Sequence, residues 1–311
     1  MNPTFSPADV FLFMPDDDCV SRIICKLDDS IVSHAAFHYD AAKHLMAEAN
    51  LSGIQVNPAP GENPPRTVHV RRYTARPFET DKILAVGKQY LESKEKYAFD
   101  TMVLVGLLLI SRRWLDDPTY LKMVEKILRT INYIIEKSRK THPMICSQFV
   151  ARCYGEAGYI LKTPVRNARR SPETSLAERI CAGLEGIDRL PLRNEENENF
   201  PDGFDGAGLL DSLCCIILKL LDDAEKSALE THPGSDAKNM FPISGALMLE
   251  SAIFAGTVMR GERVQAESLQ LGQAMGDLKD AIDNFITPGD LLKCAQLETV
   301  AVIPGFETNA F

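Results

Sequence analysis

Short runs with the alternation of β-strands fill the first 75 residues of the chain. Apolar residues alternate with polar ones there, and Gly, Pro and Asp separate the runs. Residues 18–27 differ, because their apolar residues have the three-to-four spacing of a short helix. The pattern predicts five strands, at 8–14, 33–39, 44–49, 53–58 and 67–74. A turn at 40–43 and a Pro/Gly-rich loop at 58–65 are predicted to connect some of them.

The apolar spacing changes to the helical period from about residue 80 onward. The sequence predicts helices at 80–94, 98–113, 118–138, 144–157, 173–184, 206–230 and 243–285. Pro143 stands where the fourth of these should start, Gly158 stands at its end, and Gly261 is a candidate break in the last. Beyond them we predict a turn at Pro288 and Gly289 and a strand at 298–303.

This order of elements predicts an α+β fold. An early sheet packs with helices, a helical block of about 120 residues follows, and a short segment returns to the sheet. We therefore divide the chain into a core of residues 1–164 plus 286–311 and a helical insertion at 165–285. The insertion is predicted to be either a lid that selects substrate or a plain structural addition.

Composition narrows the classes of partner. The chain has 311 residues, 45% of them apolar, and a formal net charge of −9, which disfavours binding to nucleic acid or an anionic membrane. Its start has no basic region before a short apolar stretch, and the most apolar run, 99–110, is shorter than the roughly 20 residues of a membrane span. We expect a cytoplasmic protein without an integral membrane segment. Secretion that needs no N-terminal signal would leave the same sequence.

The eight cysteines carry no C-x-x-C spacing and do not resemble a disulfide framework. We expect reduced and mostly buried thiols, and no metal cage at the adjacent Cys214 and Cys215. Cys146 differs because it lies in the first turn after Pro143. A helix N-terminus lowers the pKa of a thiol and offers free N–H groups to an oxyanion. Cys146 is therefore a candidate nucleophile, and a buried small apolar residue is the alternative.

A catalytic thiol also needs a base and a group that orients it. His34 and His38 are four residues apart in one predicted strand and so share a face. They could bind a metal as a pair, but no further ligands stand at nearby spacing, so we expect no metal and no cofactor. Glu48 ends an otherwise apolar strand and could face His34 across a hairpin. A solvated glutamate at the end of a strand is the alternative.

The order His34, Glu48, Cys146 resembles the circularly permuted papain-like cysteine hydrolases, in the NlpC-type branch that includes the YiiX-like amidases. The segments that carry the resemblance are ADVFLF (8–13), VSRIICKL (20–27), SHAAFH (33–38), MAEANLSGIQV (46–56), ICSQFVARCYGEAG (145–158) and ITPGDLLKCAQL (286–297). The sequence departs from the family pattern at Gln148, where glutamate is usual, at Ala35 and Ala36, which replace Val-Gly, and at Ala8, which replaces glycine.

The resemblance implies a permuted papain-like core and a role for each residue. Cys146 is the expected nucleophile, His34 the base and Glu48 the group that orients His34, while the backbone N–H of Cys146 holds the oxyanion. The candidate substrate-pocket residues are Ser33, Ser147 and Gln148. We expect a thiol hydrolase that cleaves a peptide or isopeptide-like amide through an acyl-enzyme. The alternatives are a lipid acyl hydrolase or acyltransferase with the same triad, and a non-catalytic binding module. The sequence leaves the oligomeric state open.

Overall fold

The structure is a computed structural model of the chain. It describes residues 4–50, 53–93, 97–98, 100–112, 115–137, 142–162, 175–185, 206–230, 241–260, 269–283 and 285–306. The described strands are β1 (Val10–Phe13), β2 (His34–Asp40), β3 (Leu45–Asn50), β4 (Gly53–Pro58), β5 (Val68–Tyr73), β6 (Tyr97–Ala98), β7 (His142–Pro143) and β8 (Leu297–Ile303). The five strands predicted in the first 75 residues are confirmed, and so is the strand near the C-terminal end.

Six of these strands form one antiparallel sheet in the order β4-β3-β2-β1-β5-β8. The strands β1 to β4 pair successively in sequence order. The late strand β8 pairs with β5 and forms the edge of the sheet opposite β4. The short strands β6 and β7 pair in parallel beside it. A mixed fold with an antiparallel sheet confirms the α+β class, and the permuted papain-like core stays a prediction.

The described helices are α1 (Cys19–Asp28), α2 (Thr80–Glu92), α3 (Asp100–Ser111), α4 (Pro118–Lys137), α5 (Cys146–Glu156), α6 (Leu176–Glu185), α7 (Gly206–Glu230), α8 (Gly245–Arg260), α9 (Leu271–Asp283) and α10 (Pro288–Leu292). The turn predicted at Pro288 and Gly289 is wrong, because both residues begin α10. Thr287 and Asp290 cap this helix reciprocally, and Pro288 suits its first position because a helix leaves that N–H unpaired. Pro143 lies in β7, three residues before α5 starts.

The two faces of the sheet bury different sets of side chains. One face packs against α5 and α2, and small residues of β2 and β3 let α5 approach closely. The buried strand residues on this face are Val10, Leu12, Ala35, Phe37, Ala47 and Ala49. The opposite face carries a second cluster. Its buried residues are Phe5, Phe11, Phe13, Ala36, Ala59, Val68, Val70 and Ile303. Alternation along the strands produces this division.

A third and larger core joins helices from both sides of the predicted boundary at residue 165. Its buried residues come from α1, α3 and α4 as well as from α6, α7, α8 and α9. The helical insertion therefore packs into the molecule and shares an apolar core with the sheet-side helices. The proposed domain division itself stays a prediction.

The expectation of eight reduced thiols is wrong for two of them, because Cys19 and Cys215 form a disulfide between α1 and α7. The two residues are 196 positions apart, but helix packing brings their Cα atoms within 5.1 Å, which suits a disulfide. Of the six free cysteines, five are buried and Cys25 is half-buried. None of the described helices is both long enough and apolar enough to cross a membrane.

Candidate active site

Helix α5 places Cys146 at its first position. Ile145 before it is extended and supplies no capping side chain. The N–H of Phe149 is bonded back to the carbonyl of Ile145. The N–H groups that precede it in the first turn, including that of Cys146, have no acceptor within the helix. This position confirms the expected thiol at a helix start, and its role as an oxyanion donor stays a prediction.

The orientation of α5 on the sheet follows from two contacts. Near its C-terminal end the Tyr154 hydroxyl donates to the carbonyl of Ala8, just before β1, over 2.6 Å. Nearer its start, Phe149 packs on Phe37 of β2 with ring centroids 5.5 Å apart. The helix therefore runs from the His34 end of the sheet towards the Ala8 end. Cys146, about 4.5 Å along the axis before Phe149, lies towards the start of β2.

His34 and Glu48 are hydrogen-bonded, as the sequence suggested they could be. The distance from Nε2 of His34 to Oε2 of Glu48 is 2.7 Å. His34 is the first residue of β2, and Glu48 lies opposite Ala36 in the β2–β3 hairpin. Both side chains are mostly buried. The alternative of a solvated glutamate does not fit this geometry.

Two asparagines complete the surroundings of Glu48. Its other oxygen, Oε1, accepts from Nδ2 of Asn57 at 2.6 Å and from Nδ2 of Asn50 at 3.3 Å. Gln55 in turn donates to the side chain of Asn50. The sequence pattern did not single out these residues. The alternation of Gln55 and Asn57 along β4 could have indicated them, because it places both on one face of the sheet. Gln55 lies opposite Glu48 on that face.

The hydrogen bonds set the pKa of Glu48. Burial alone raises the pKa of this carboxyl, but the bond and charge of His34, helped by Asn57 and Asn50, outweigh burial and hold the pKa below its usual range. Glu48 is therefore ionised near neutral pH. A carboxylate in this state can fix the orientation of an imidazole and stabilise its protonated form.

The thiol and the His34–Glu48 pair lie towards the same end of the sheet but belong to opposite faces of it. By strand alternation His34 and Glu48 share the face of Ala36, and the ring of His34 lies 5.6 Å from that of Phe13. Cys146 is buried with residues of the other face and is only 1% exposed. The structure thus joins two of the three predicted residues directly and places the third at the start of a helix nearby.

The three predicted pocket residues have different surroundings. Ser147 is fully buried, and its hydroxyl donates to the carbonyl of Ile286 over 2.7 Å, which anchors the first turn of α5. Ser33 is buried, and its Oγ has no hydrogen-bond partner within the described part of the chain. Gln148 is half-buried. Ser147 therefore has a structural contact where a pocket contact was expected, while Ser33 and Gln148 stay candidates.

A buried ionic cluster lies close in sequence to Ile286, the residue that Ser147 contacts. Asp28, at the end of α1, accepts from the N–H of Gly289 at 2.9 Å. Arg112 approaches Asp290 at 2.9 Å and Asp28 at 3.8 Å. Burial, and less strongly the nearby Asp290, raise the pKa of Asp28 to about 6 although Arg112 opposes the shift. The cluster ties α1 and α3 to the segment that contacts Ser147.

Metal ligands do not converge at this site among the described residues. His38 shares the face of His34 as expected, but its Nδ1 meets the carbonyl of Ser6 at 3.1 Å. The one grouping of three metal-ligating side chains found in the described ranges is elsewhere, at Cys19, Asp211 and Cys215.

The chain was also compared with known proteins. No protein-family model matches it, and none of the curated proteins is significantly similar to it. A function for the chain therefore has to be argued from the geometry described above.

Proposed function

We propose that the protein is a thiol hydrolase that cleaves an amide bond, with Cys146 as nucleophile, His34 as base and Glu48 as the residue that orients His34. The observation that carries the proposal is the 2.7 Å hydrogen bond between His34 and Glu48. It joins two residues that were selected with Cys146 from the sequence alone. His34 and Glu48 lie towards the end of the sheet where α5 begins, which supports a common site with Cys146.

The reaction follows from the atoms that this arrangement offers. Glu48 engages Nε2 of the ring, so proton exchange with the thiol takes place at Nδ1. The Cys146 thiolate attacks the carbonyl carbon, and the N–H groups at the start of α5 stabilise the oxyanion. The tetrahedral intermediate expels the amine, which takes the proton from His34, and leaves a thioester. Water, deprotonated by His34, then attacks the thioester, releasing the acid and the thiol.

The proposal requires that substrate binding brings the thiol and the ring together. Cys146 is buried, and His34 belongs by alternation to the other face, so the site as described is closed. Catalytic hydrogen bonds are often long or misaligned without substrate and tighten in its complex. His34 is the first residue of β2 and Cys146 the first of α5, so the proposal requires a rearrangement at the ends of these two elements.

The surroundings of the pair favour an amide over a lipid ester. Asn50, Gln55 and Asn57 place polar side chains next to Glu48 on the same side of the hairpin. A polar acyl group is better matched to such a surface than an alkyl chain is. The packing of α6–α9 with α1, α3 and α4 supports a structural role for the insertion and gives no support to a detachable lid.

The experiment compares thiol reactivity residue by residue. We expect iodoacetamide near neutral pH to label Cys146 faster than any other cysteine, and the substitution His34→Ala to slow that labelling at least about tenfold. Cys153→Ala is the matched control, because it removes a buried thiol two turns along the same helix. Burial raises the pKa of the Cys153 thiol, so this thiol should react slowly. Cys153→Ala should therefore leave the labelling rate of Cys146 unchanged. Hydrolysis of an amide panel and a phospholipid panel by wild type and Cys146→Ala then identifies the bond.

A non-catalytic binding module is the second candidate. It is favoured by the burial of Cys146 and by its separation from the His34–Glu48 pair across the sheet. In that case Cys146 is labelled as slowly as Cys153, and His34→Ala has no effect on it. Full hydrolytic activity of Cys146→Ala on a substrate of the wild type would also refute the proposed mechanism.

A further inference from the structure

The side chains of Cys19, Asp211 and Cys215 converge between α1 and α7. Their ligand atoms lie within 4.8 Å of one another, and all three residues are half-buried and so reachable from solvent. Asp211 and Cys215 are four residues apart on α7, which places them on one face of the helix. Cys19 is the first residue of α1 and faces them from the other helix. Spacing along the chain could not indicate Cys19 as the third donor, because it lies 196 positions from Cys215.

The helix pair holds these donors in a fixed register. Two turns along α1, Lys26 contacts both Asp222 and Glu225 of α7. Cys19 and Lys26 are seven residues apart, and so are their partners Cys215 and Asp222. The helices therefore run side by side in the same direction, and the ion pair lies two turns from the sulfurs in the same register.

The donor set favours a cation, because the Asp211 carboxylate lies beside the two sulfurs. Two cysteine sulfurs and a carboxylate are a ligand set suited to Zn²⁺, which binds three protein ligands and one water in open sites.

We propose that Cys19, Asp211 and Cys215 form a redox-switched site that binds a borderline-soft divalent cation such as Zn²⁺ in the reduced protein. Oxidation closes the Cys19–Cys215 disulfide and releases the cation. With a small-molecule disulfide as oxidant, the two zinc-bound thiolates and two protons yield the protein disulfide, two small thiols and free Zn²⁺. Two electrons pass from the cysteine sulfurs to the small disulfide. The structure shows the oxidised form.

The site has a defined place in the fold. It fastens the first turn of α1, which leads into β2 and His34, to the longest described helix of the 165–285 region. In a reducing compartment the disulfide opens, and the cation then holds the same two helices together. The link between them is kept in both redox states, and Zn²⁺ affinity reports which state is present.

The test measures Zn²⁺ binding to the full chain by competition with a chromophoric chelator. Reduced wild type should bind one equivalent, and the same protein oxidised with a small-molecule disulfide should release it. Cys19→Ser and Cys215→Ser should each weaken binding by at least about 100-fold, since even residues that only support a ligand cost roughly 10–100-fold when lost. Asp211→Asn should weaken it by about tenfold or more.

Cys25→Ser is the matched control, because it removes a half-buried thiol of α1 that lies outside the site. It should bind Zn²⁺ like wild type. Equal affinity of reduced and oxidised wild type would overturn the proposal without any variant, and so would equal affinity of Cys19→Ser and wild type with folded circular dichroism spectra. The proposal does not depend on the hydrolase activity.

Discussion

Two buried carboxylates near the start of α5 show opposite behaviour. Glu48 lies in the β2–β3 hairpin and has a pKa below its usual range, whereas Asp28 lies at the end of α1 and has a pKa raised to about 6. Both are less than a tenth exposed. Burial raises the pKa of both, so the difference comes from their partners.

The partners differ in kind. Glu48 receives three side-chain hydrogen bonds, from His34, Asn57 and Asn50. Asp28 shares one cation, Arg112, with a second carboxylate, Asp290. Donors that serve one carboxylate stabilise its charged form, whereas two carboxylates around one cation compete for it. The hairpin therefore favours the ionised form of Glu48, whereas the contact between α1 and α10 favours protonation of Asp28.

The largest expected effect comes from removing the shared cation. Arg112→Met removes the cation that Asp28 and Asp290 share, and loss of one member of such a buried set costs about 3–5 kcal/mol. We expect the free energy of unfolding in urea at pH 7.5 to fall by this amount. At pH 5 the loss should be smaller, because Asp28 is then largely protonated.

Lys82→Met is the control for this measurement, since Lys82 and its partner Glu79 form an exposed pair. Solvent screens an exposed pair, so the control should change little. A loss that is equal at pH 5 and pH 7.5 for Arg112→Met would contradict the idea that Asp28 gives up its charge.

The pH dependence of stability should separate the two carboxylates. Asp28 binds a proton in the folded state that it has lost in the unfolded state between about pH 4 and 6, so it makes stability fall as pH rises through that window. Glu48 has a lowered pKa, so its contribution is complete above about pH 4.5 and is lost as pH falls further.

Urea unfolding from pH 3.5 to 7 tests both slopes. Asp28→Asn should remove the fall between pH 4 and 6, a change on the order of 2–3 kcal/mol across the window. Glu48→Gln should leave that fall intact and flatten the rise below pH 4.5. If both variants change the same part of the curve, the contrast between the two sites is wrong.

The exchange of Glu48 for glutamine should also act at neutral pH. Glutamine has one acceptor oxygen where Glu48 uses two, so at least one of the hydrogen bonds from His34, Asn50 and Asn57 is lost. Such a loss costs about 1–3 kcal/mol. The imidazole resonances of His34 in an NMR spectrum should shift as well. Unchanged resonances would show that Glu48 does not hold the ring.

The smallest expected effect concerns a single donor. Asn57→Ala removes the shorter of the two hydrogen bonds that asparagine side chains donate to Glu48. It should lower the free energy of unfolding by about 0.5–1.5 kcal/mol. It should also raise the pKa of Glu48 slightly, visible as a shift of the acid limb of the stability curve to higher pH. Asn50→Ala, which removes the 3.3 Å contact, should do less. The reverse order would mean that the hydrogen-bond lengths do not rank the donors.

Local pattern was sufficient to predict most elements of the fold. The strands around His34 and Glu48 follow from alternation, and α5 follows from apolar spacing after a proline. The helix α10 was missed because its Pro-Gly start is typical of a turn, and only the reciprocal cap of Thr287 and Asp290 makes it helical. Periodicity does not report that kind of side-chain contact.

Long-range partners were the part that sequence could not supply. The His34–Glu48 contact was predictable because both residues belong to one hairpin. Asn57 needed the register of the next strand, and Asp28 needed contacts with residues more than 200 positions away. The disulfide of Cys19 and Cys215 depends on how two distant helices pack, so spacing along the chain gave no signal for it.

The last described segment, 285–306, affects when the sheet can finish folding during synthesis of the chain. It supplies β8, which pairs with β5, and the N–H of Gly289 that Asp28 accepts. Ribosomes build a chain from its N-terminus, and its early parts usually fold first. Here the N-terminal sheet lacks one edge strand, and Asp28 lacks its backbone donor, until residues 285–306 have been made. We therefore expect the sheet half to complete its folding only after this segment has left the ribosome.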